Sequence, residues 1–195
     1  MSTTREVWLN DAVALLSTHF HRVTDKYAPE NLRVSCGWPS VHALSRKKRR
    51  IGECWGEEAS KDKQFEIFIS PLLSEPLEVL STLAHEMVHA TVGLAAKHGA
   101  AFSQFGKRIG LEGKPSSMGA SEDMKNAVLA PIVEKLGEYP HGSLDLAQGP
   151  AKKQTTRMHK VECGGCGYTA RVSAKWLDDV GPPICPCNNE PMGAG

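Results

Sequence analysis

His85, Glu86 and His89 fall within five residues, His85-Glu86-Met87-Val88-His89, and pair two metal-binding imidazoles with a carboxylate. Four residues separate the histidines, so on a helix of 3.6 residues per turn they project from one face and reach a single ion. Glu86 is free of ligand duty in this arrangement. A Glu so placed can take a proton from a metal-activated water and return it to a leaving amine. The chemistry implied is hydrolysis, with a peptide bond as the expected target.

These residues need a helix to hold them, and their neighbours supply one. Pro76 suits a first helical turn, while Leu77, Leu80, Leu83, Ala84, Met87 and Val88 recur at helical spacing and would bury one face. Gly93 can end the helix. A catalytic zinc takes three protein ligands and keeps a fourth position open, so one ligand is still missing. The metzincin spacing is excluded, because Val92 and Ala95 stand where it requires Gly and His. His98 and Glu112 are the candidates. His98 is favoured because it opens His98-Gly99-Ala100-Ala101-Phe102, and Phe102, Phe105 and Ile109 then mark a second helix. Glu112 sits in the Gly-rich stretch Gly110-Leu111-Glu112-Gly113, which would fix a carboxylate poorly.

HEMVH followed shortly by HGAAF resembles the signature of the SprT-like zinc metalloproteases, HExxH and then HGxxF. That group includes the Spartan-type proteases, which degrade proteins crosslinked to DNA. The resemblance implies His85, His89 and His98 as zinc ligands and Glu86 as the base. It also implies an α+β, zincin-like domain with a small antiparallel sheet and a C-terminal zinc ribbon, and so covers most of the chain.

Cys163-Gly164-Gly165-Cys166 and Cys185-Pro186-Cys187 have the form of such a ribbon, with strand-like Tyr168 to Val172 between them. Four thiolates around zinc make a closed, structural site. The second pair has one intervening residue where two are usual, which leaves open whether both of its cysteines bind the same ion. Disulfides are the competing reading, although nothing else suggests secretion. Cys36 and Cys54 read as buried thiols.

At 195 residues the chain can hold one substantial core and a small appendage. An amphipathic helix is expected from about Arg5 to Val23, with Val7, Trp8, Ala12, Leu15, Leu16 and Phe20 inward. Leu32 to Cys36, Arg50 to Trp55 and Phe65 to Ile69 read as strands, the last being the candidate edge to which an extended peptide could add. A later helix is expected over Glu122 to Leu136. Pro140, Gly142, Gly149 and Pro150 then interrupt the pattern. The expected division is a metalloprotease domain over 1–138, a linker over 139–154 and a ribbon over 155–195.

Formal net charge is only +1, which excludes a strongly polyionic protein. No apolar run has the length of a membrane span and Met1-Ser2-Thr3-Thr4-Arg5-Glu6 carries no signal-like apolar stretch, which with free or metal-bound cysteines makes the cytoplasm the expected location. The HExxH chemistry makes a protein the expected substrate, and a monomer is favoured with the oligomeric state left open. Arg46, Lys47, Lys48, Arg49 and Arg50 form the one strong charge run, and Lys152, Lys153, Arg157 and Lys160 lead into the ribbon. Either stretch could contact DNA through salt-sensitive phosphate binding or lie simply solvated. Trp38, Trp55 and Trp176 could stack on bases, but core packing is the expected role of each. Two rival functions share these residues. One is a nucleic-acid-binding or transcription-associated module in which the HExxH zinc is structural or vestigial and the ribbon carries the function. The other is a mobile-element protease with a single protein target.

Overall fold

The computed structural model describes residues 4–45, 47–149 and 158–194. The chain divides between Gly149 and Pro150 into two compact units. The mixed helix-and-sheet architecture matches the expected α+β class at that level.

In the first unit, helix α1 (Arg5–Thr24) starts at Thr4, whose side chain accepts from the Val7 N–H. It buries Trp8, Leu9, Ala12, Leu16 and Phe20, while Val7, expected inward, is exposed. Strands β1 (Leu32–Cys36), β2 (Gly52–Trp55) and β3 (Phe65–Ile69) form a three-stranded sheet in the order β1-β3-β2. β1 runs parallel to β3, from Leu32 opposite Phe65 to Cys36 opposite Ile69. β2 runs antiparallel to β3, with Gly52 opposite Ile69 and Trp55 opposite Glu66. Two expectations are corrected here. The sheet is mixed rather than antiparallel, because β1 and β3 flank an excursion through β2 and end up running the same way. The Phe65–Ile69 strand is central rather than an edge, and β1 and β2 are the two edge strands.

Helix α2 (Pro76–Val92) packs against β2 and β3. Glu75 caps it by accepting from the Glu78 N–H at 2.8 Å, and Pro76 occupies the first turn, where its missing N–H costs nothing. Val79, Leu80, Leu83, Ala84, Met87 and Val88 are fully buried, and Gly93 ends the helix at φ 87°. Helix α3 (Ala100–Ile109) returns beside α2 and buries Phe102, Phe105 and Ile109. A small hairpin follows, made of β4 (Leu111–Glu112) and β5 (Gly119–Ala120). The expected helix over 122–136 is present as α4 (Glu122–Met124) and α5 (Ala130–Leu136), joined by a π-helical turn at Lys125–Leu129. Pro131 accounts for that turn: it has no N–H to donate, and the wider i→i+5 winding accommodates its ring.

The segment beginning at Tyr139 belongs partly to this unit. Tyr139 is buried against Trp8, with ring centroids 5.0 Å apart, and the Pro71 carbonyl lies 2.9 Å from both His141 Nε2 and the Leu144 N–H. The rest of the expected linker, from Pro150, and the expected ribbon start at Thr155 lie outside the described residues, as do Arg46, Lys152, Lys153 and Arg157.

The second unit holds β6 (Met158–Glu162), β7 (Thr169–Ser173), α6 (Ala174–Val180) and β8 (Gly193–Ala194), with the strands in the order β7-β6-β8. Among the described residues its core is four side chains: Val161, Cys163, Cys185 and Met192. Trp38, Trp55 and Trp176, expected in cores, are exposed at 41%, 41% and 53%. Trp55 lies on β2, where it trades burial for an indole N–H bond to Glu53 at 2.9 Å. Among the described residues, no helix is long and apolar enough to cross a membrane.

Candidate metal centre

α2 presents His85 and His89 toward a turn that returns His98 to them. Leu94–Ala96 forms a single 3₁₀ turn, Lys97 follows at φ 46°, and His98 stands just before the Gly99 cap of α3. One nitrogen from each of His85, His89 and His98 lies within 4.8 Å of the others. The Nε2 atoms of His89 and His98 face each other at 3.1 Å. For a tetrahedral zinc at about 2.0–2.1 Å from each nitrogen, ligand nitrogens stand about 3.3–3.4 Å apart, so the donor set fits. Glu112, the rival ligand, lies exposed in β4 and outside this group.

Two further contacts prepare the imidazoles. His85 Nδ1 lies 3.0 Å from the Met118 carbonyl, which can only accept, so the ring proton sits on Nδ1 and the Nε2 lone pair is free for a metal. Met118 is held in place because the Ala120 N–H donates to Ser81 Oγ on α2 at 2.8 Å. Phe102, completely buried, packs against all three rings, with centroid distances of 4.9, 4.4 and 5.0 Å to His85, His89 and His98. Burial drives all three imidazoles toward the neutral, ligating form. At His89 burial combines with repulsion from His85, His98 and Arg50 to hold the ring down to about 3.

Glu86 is buried at 8% exposure on the same helix, against β2. Burial pushes its carboxyl up to about 8, against the pull of the Arg50 guanidinium. The slot it occupies exists because residue 52 is glycine. A Cβ there would stand 2.6 Å from Glu86 Oε1 and 2.7 Å from Thr82 Cγ2. Sequence reasoning did not assign Gly52, although a glycine inside a strand pattern signals close approach of another group. Met118 carries no sequence signal, since it acts through its backbone.

The histidines and Glu86 line a cleft of about 1010 Å³, whose walls also include Lys48, Arg49, Arg50, Cys54, Lys97 and Met118. Cys54 is buried as expected, its thiol pushed up to about 12 by burial, whereas Cys36 is only half-buried. No family model, curated protein or solved structure matches this chain.

In the second unit the sulfurs of Cys163, Cys166, Cys185 and Cys187 all lie within 4.8 Å of one another. Cys163 and Cys187 are 3.6 Å apart, Cys166 and Cys185 3.6 Å, and Cys185 and Cys187 3.5 Å. Disulfide sulfurs sit at about 2.05 Å, while the edges of a tetrahedral zinc–thiolate site are about 3.8 Å. The spacing therefore fits one four-thiolate metal site. The short Cys185-Pro186-Cys187 turn does not keep Cys187 out of it. The Gly165 N–H, 3.4 Å from Cys163 Sγ, and the Cys166 backbone favour a thiolate there and bring Cys163 down to about 7. Both donor sets are candidate metal sites compatible with zinc.

Proposed function

We propose that the first unit is a zinc-dependent endopeptidase of SprT-like type with a zincin-like fold, and that the second is a structural zinc ribbon. The observation that carries this reading is the convergence of three neutral imidazole nitrogens beside a buried carboxylate on one wall of an open cleft. The HExxH and HGxxF strings supply His85, His89, His98 and Glu86, and the geometry supports a joint role for them. A zinc ion held there would supply Lewis acidity, acidifying water and polarising a carbonyl at the position left open.

The remaining work falls to the chain's own residues. The Met118 carbonyl fixes the tautomer and tilt of His85, and Phe102 closes the rear of the site to water. Glu86 takes the proton of the attacking water and delivers it to the amine nitrogen as the peptide bond breaks. Its desolvated slot raises its basicity toward the neutral range, where a carboxylate can both accept and return a proton.

Elemental analysis of the full chain, paired with cleavage of an unfolded protein substrate, tests this reading. The wild type should hold about two zinc ions, one in each donor set. Glu86→Gln should keep both and lose turnover, and His89→Ala should lose one ion and turnover together. Full turnover in Glu86→Gln sinks the assignment of the base. Zinc only in the cysteine site, with no cleavage under any condition, replaces the peptidase by a binding module.

A further inference from the structure

The basic run does not lie on a remote surface. Lys48, Arg49 and Arg50 line the same cleft as His85, Glu86, His89 and His98, and Lys97 lines it as well. All four cations are exposed residues. The loop that carries the run is fixed by hydrogen bonds within itself and at its junction with β2. The Arg50 N–H donates to the His42 carbonyl, Ser70 N–H to the Ile51 carbonyl at 2.9 Å, and Arg49 Nε to the Ser45 carbonyl at 3.1 Å.

Glu53 is the hub of that attachment. It is buried at 9% exposure and accepts from the Ser40 N–H at 2.7 Å, Ser40 Oγ at 2.8 Å, Trp55 Nε1 at 2.9 Å and the Arg50 guanidinium. One guanidinium N–H of Arg50 is thereby committed, and a guanidinium carries five donors in a planar fork. The side chain stays 44% exposed at the mouth of the cleft.

Beyond β2 the charge changes sign. After Gly56, Glu57 and Glu58 stand in an exposed 3₁₀ turn, where Glu57 Oε2 accepts from Asn31 Nδ2 at 3.2 Å. About 13 Å of strand separates the basic end of this edge from its acidic end. A polyanion of uniform charge laid along the edge would meet repulsion at Glu58, whose carboxylate lies at Gly56 beside the cleft-lining Leu94. A polypeptide with acidic side chains at one end only would not.

We propose that this cleft binds an extended polypeptide along the free edge of β2 and selects an acidic side chain, Asp or Glu, at the end marked by Lys48, Arg49 and Arg50. Arg50 is the specificity-determining residue of that subsite, and Glu53 is the positioning residue that holds Arg50 over it. The proposal rests on the peptidase reading for its substrate class, but the binding it describes is measurable without turnover.

The probe is a short peptide with two glutamates at one end, compared with its glutamine counterpart. Both are titrated by fluorescence anisotropy into zinc-loaded full-length Glu86→Gln. The acidic peptide should bind about fivefold or more tighter, and added salt should erase the difference. Arg50→Gln should remove most of that preference and Arg50→Lys should retain part of it. Arg50→Gln also leaves buried Glu53 without its cation and risks unfolding the loop. Lys48→Glu and Arg49→Glu, both at exposed positions, therefore carry the same test and should reduce the preference by about threefold each.

Equal binding of the two peptides, or a preference untouched by all three substitutions, overturns the proposal. So does a DNA duplex that displaces the acidic peptide and depends on the same cations, which would assign the cleft to nucleic acid. Wild-type cleavage of the same peptides is followed in parallel. Binding preference without cleavage removes the peptidase and leaves this subsite, whereas cleavage without preference does the reverse.

Discussion

Replacing Gly52 by alanine adds a single methyl group at the narrowest contact of the site. Its Cβ would meet Glu86 Oε1 at 2.6 Å, Thr82 Cγ2 at 2.7 Å and Glu86 Cγ at 2.9 Å. Ordinary contact for a Cβ begins near 3.4 Å, so Glu86 or β2 must give by about 0.8 Å. Glu86 Oε1 ends a flexible side chain that can turn within the cleft, but Glu86 Cγ and Thr82 Cγ2 lie close to the α2 backbone, whose opposite face is fixed in the core, and cannot clear the new methyl by rotation alone. Overpacking of this kind costs about 1–3 kcal/mol, and the stiffer unfolded chain of alanine returns about 0.4–1. A net loss of about 1–2 kcal/mol lowers Tm by about 2–8 °C for a domain of this size. A shift approaching 1 Å in a proton-transfer group should also cut kcat/KM by about a hundredfold. Zinc content should not change, since the atoms nearest the added methyl belong to Glu86 and Thr82 rather than to a histidine. Differential scanning calorimetry, elemental analysis and peptide cleavage read the three quantities. Gly142→Ala is the control, because a Cβ there meets nothing within 4 Å. A Gly52→Ala protein with wild-type Tm and wild-type turnover would refute the claim that this glycine makes the slot for Glu86.

Phe102→Ala should destabilise the first unit by about 3–5 kcal/mol and weaken zinc binding to the histidines by about 10–100-fold, because it removes the ring against which all three imidazoles rest. Urea unfolding and competition with a metallochromic chelator measure the two effects. Burial works to raise the Glu53 carboxyl, but donors from Ser40, Trp55 and Arg50 outweigh it and hold the group below the usual carboxylate range. The stability Glu53 contributes is therefore present above its unfolded value, about 4.3, and is lost as pH falls through the lower folded value. The urea midpoint of the wild type should exceed that of Glu53→Gln near neutrality, with the gap closing below about pH 4 when both are compared with chelator present. Stripping zinc should unfold the second unit, whose core among the described residues is four side chains, and leave the first unit folded on its large apolar core. Hydrogen exchange resolved by segment should show protection lost over 158–194 and kept in α1 and α2; persistent protection in 158–194 would contradict a zinc-dependent fold.

The elements that position the histidines were legible because their apolar periodicity is strong. β1 and β3 fall where the alternation of Leu32–Cys36 and Phe65–Ile69 puts them, and α2 ends at Gly93 as its pattern requires. Strand order was not legible. Nothing local in Phe65–Ile69 tells a central strand from an edge, and the pairing partners lie some thirty residues away on one side and about fifteen on the other. The tryptophans misled for a related reason. A large ring is usually buried, but Trp55 lies on an edge strand and satisfies its indole N–H locally on Glu53.

The chemistry of the site divides along the same line. Donor type and spacing are written into short strings, so the three histidines and four cysteines that the fold draws together into candidate metal sites could be picked out from the chain. What orients and tunes them is contributed across long sequence distances and often by backbone. The Met118 carbonyl stands 33 residues from His85 and works whatever its own side chain is. Gly52 acts by lacking a side chain, and Glu53 acts on Arg50 through a carboxylate that a sequence pattern reads as an ordinary strand residue. Arg50 shows the consequence most clearly. As a letter in a basic run it is one of five equivalent cations, but in the fold a buried carboxylate holds it at the mouth of the cleft, near enough to bear on Glu86, His89 and His98 alike. Its role follows from that placement rather than from its charge, and so a substitution at Arg50 should alter peptide selection differently from the same substitution at Lys47, which does not line the cleft.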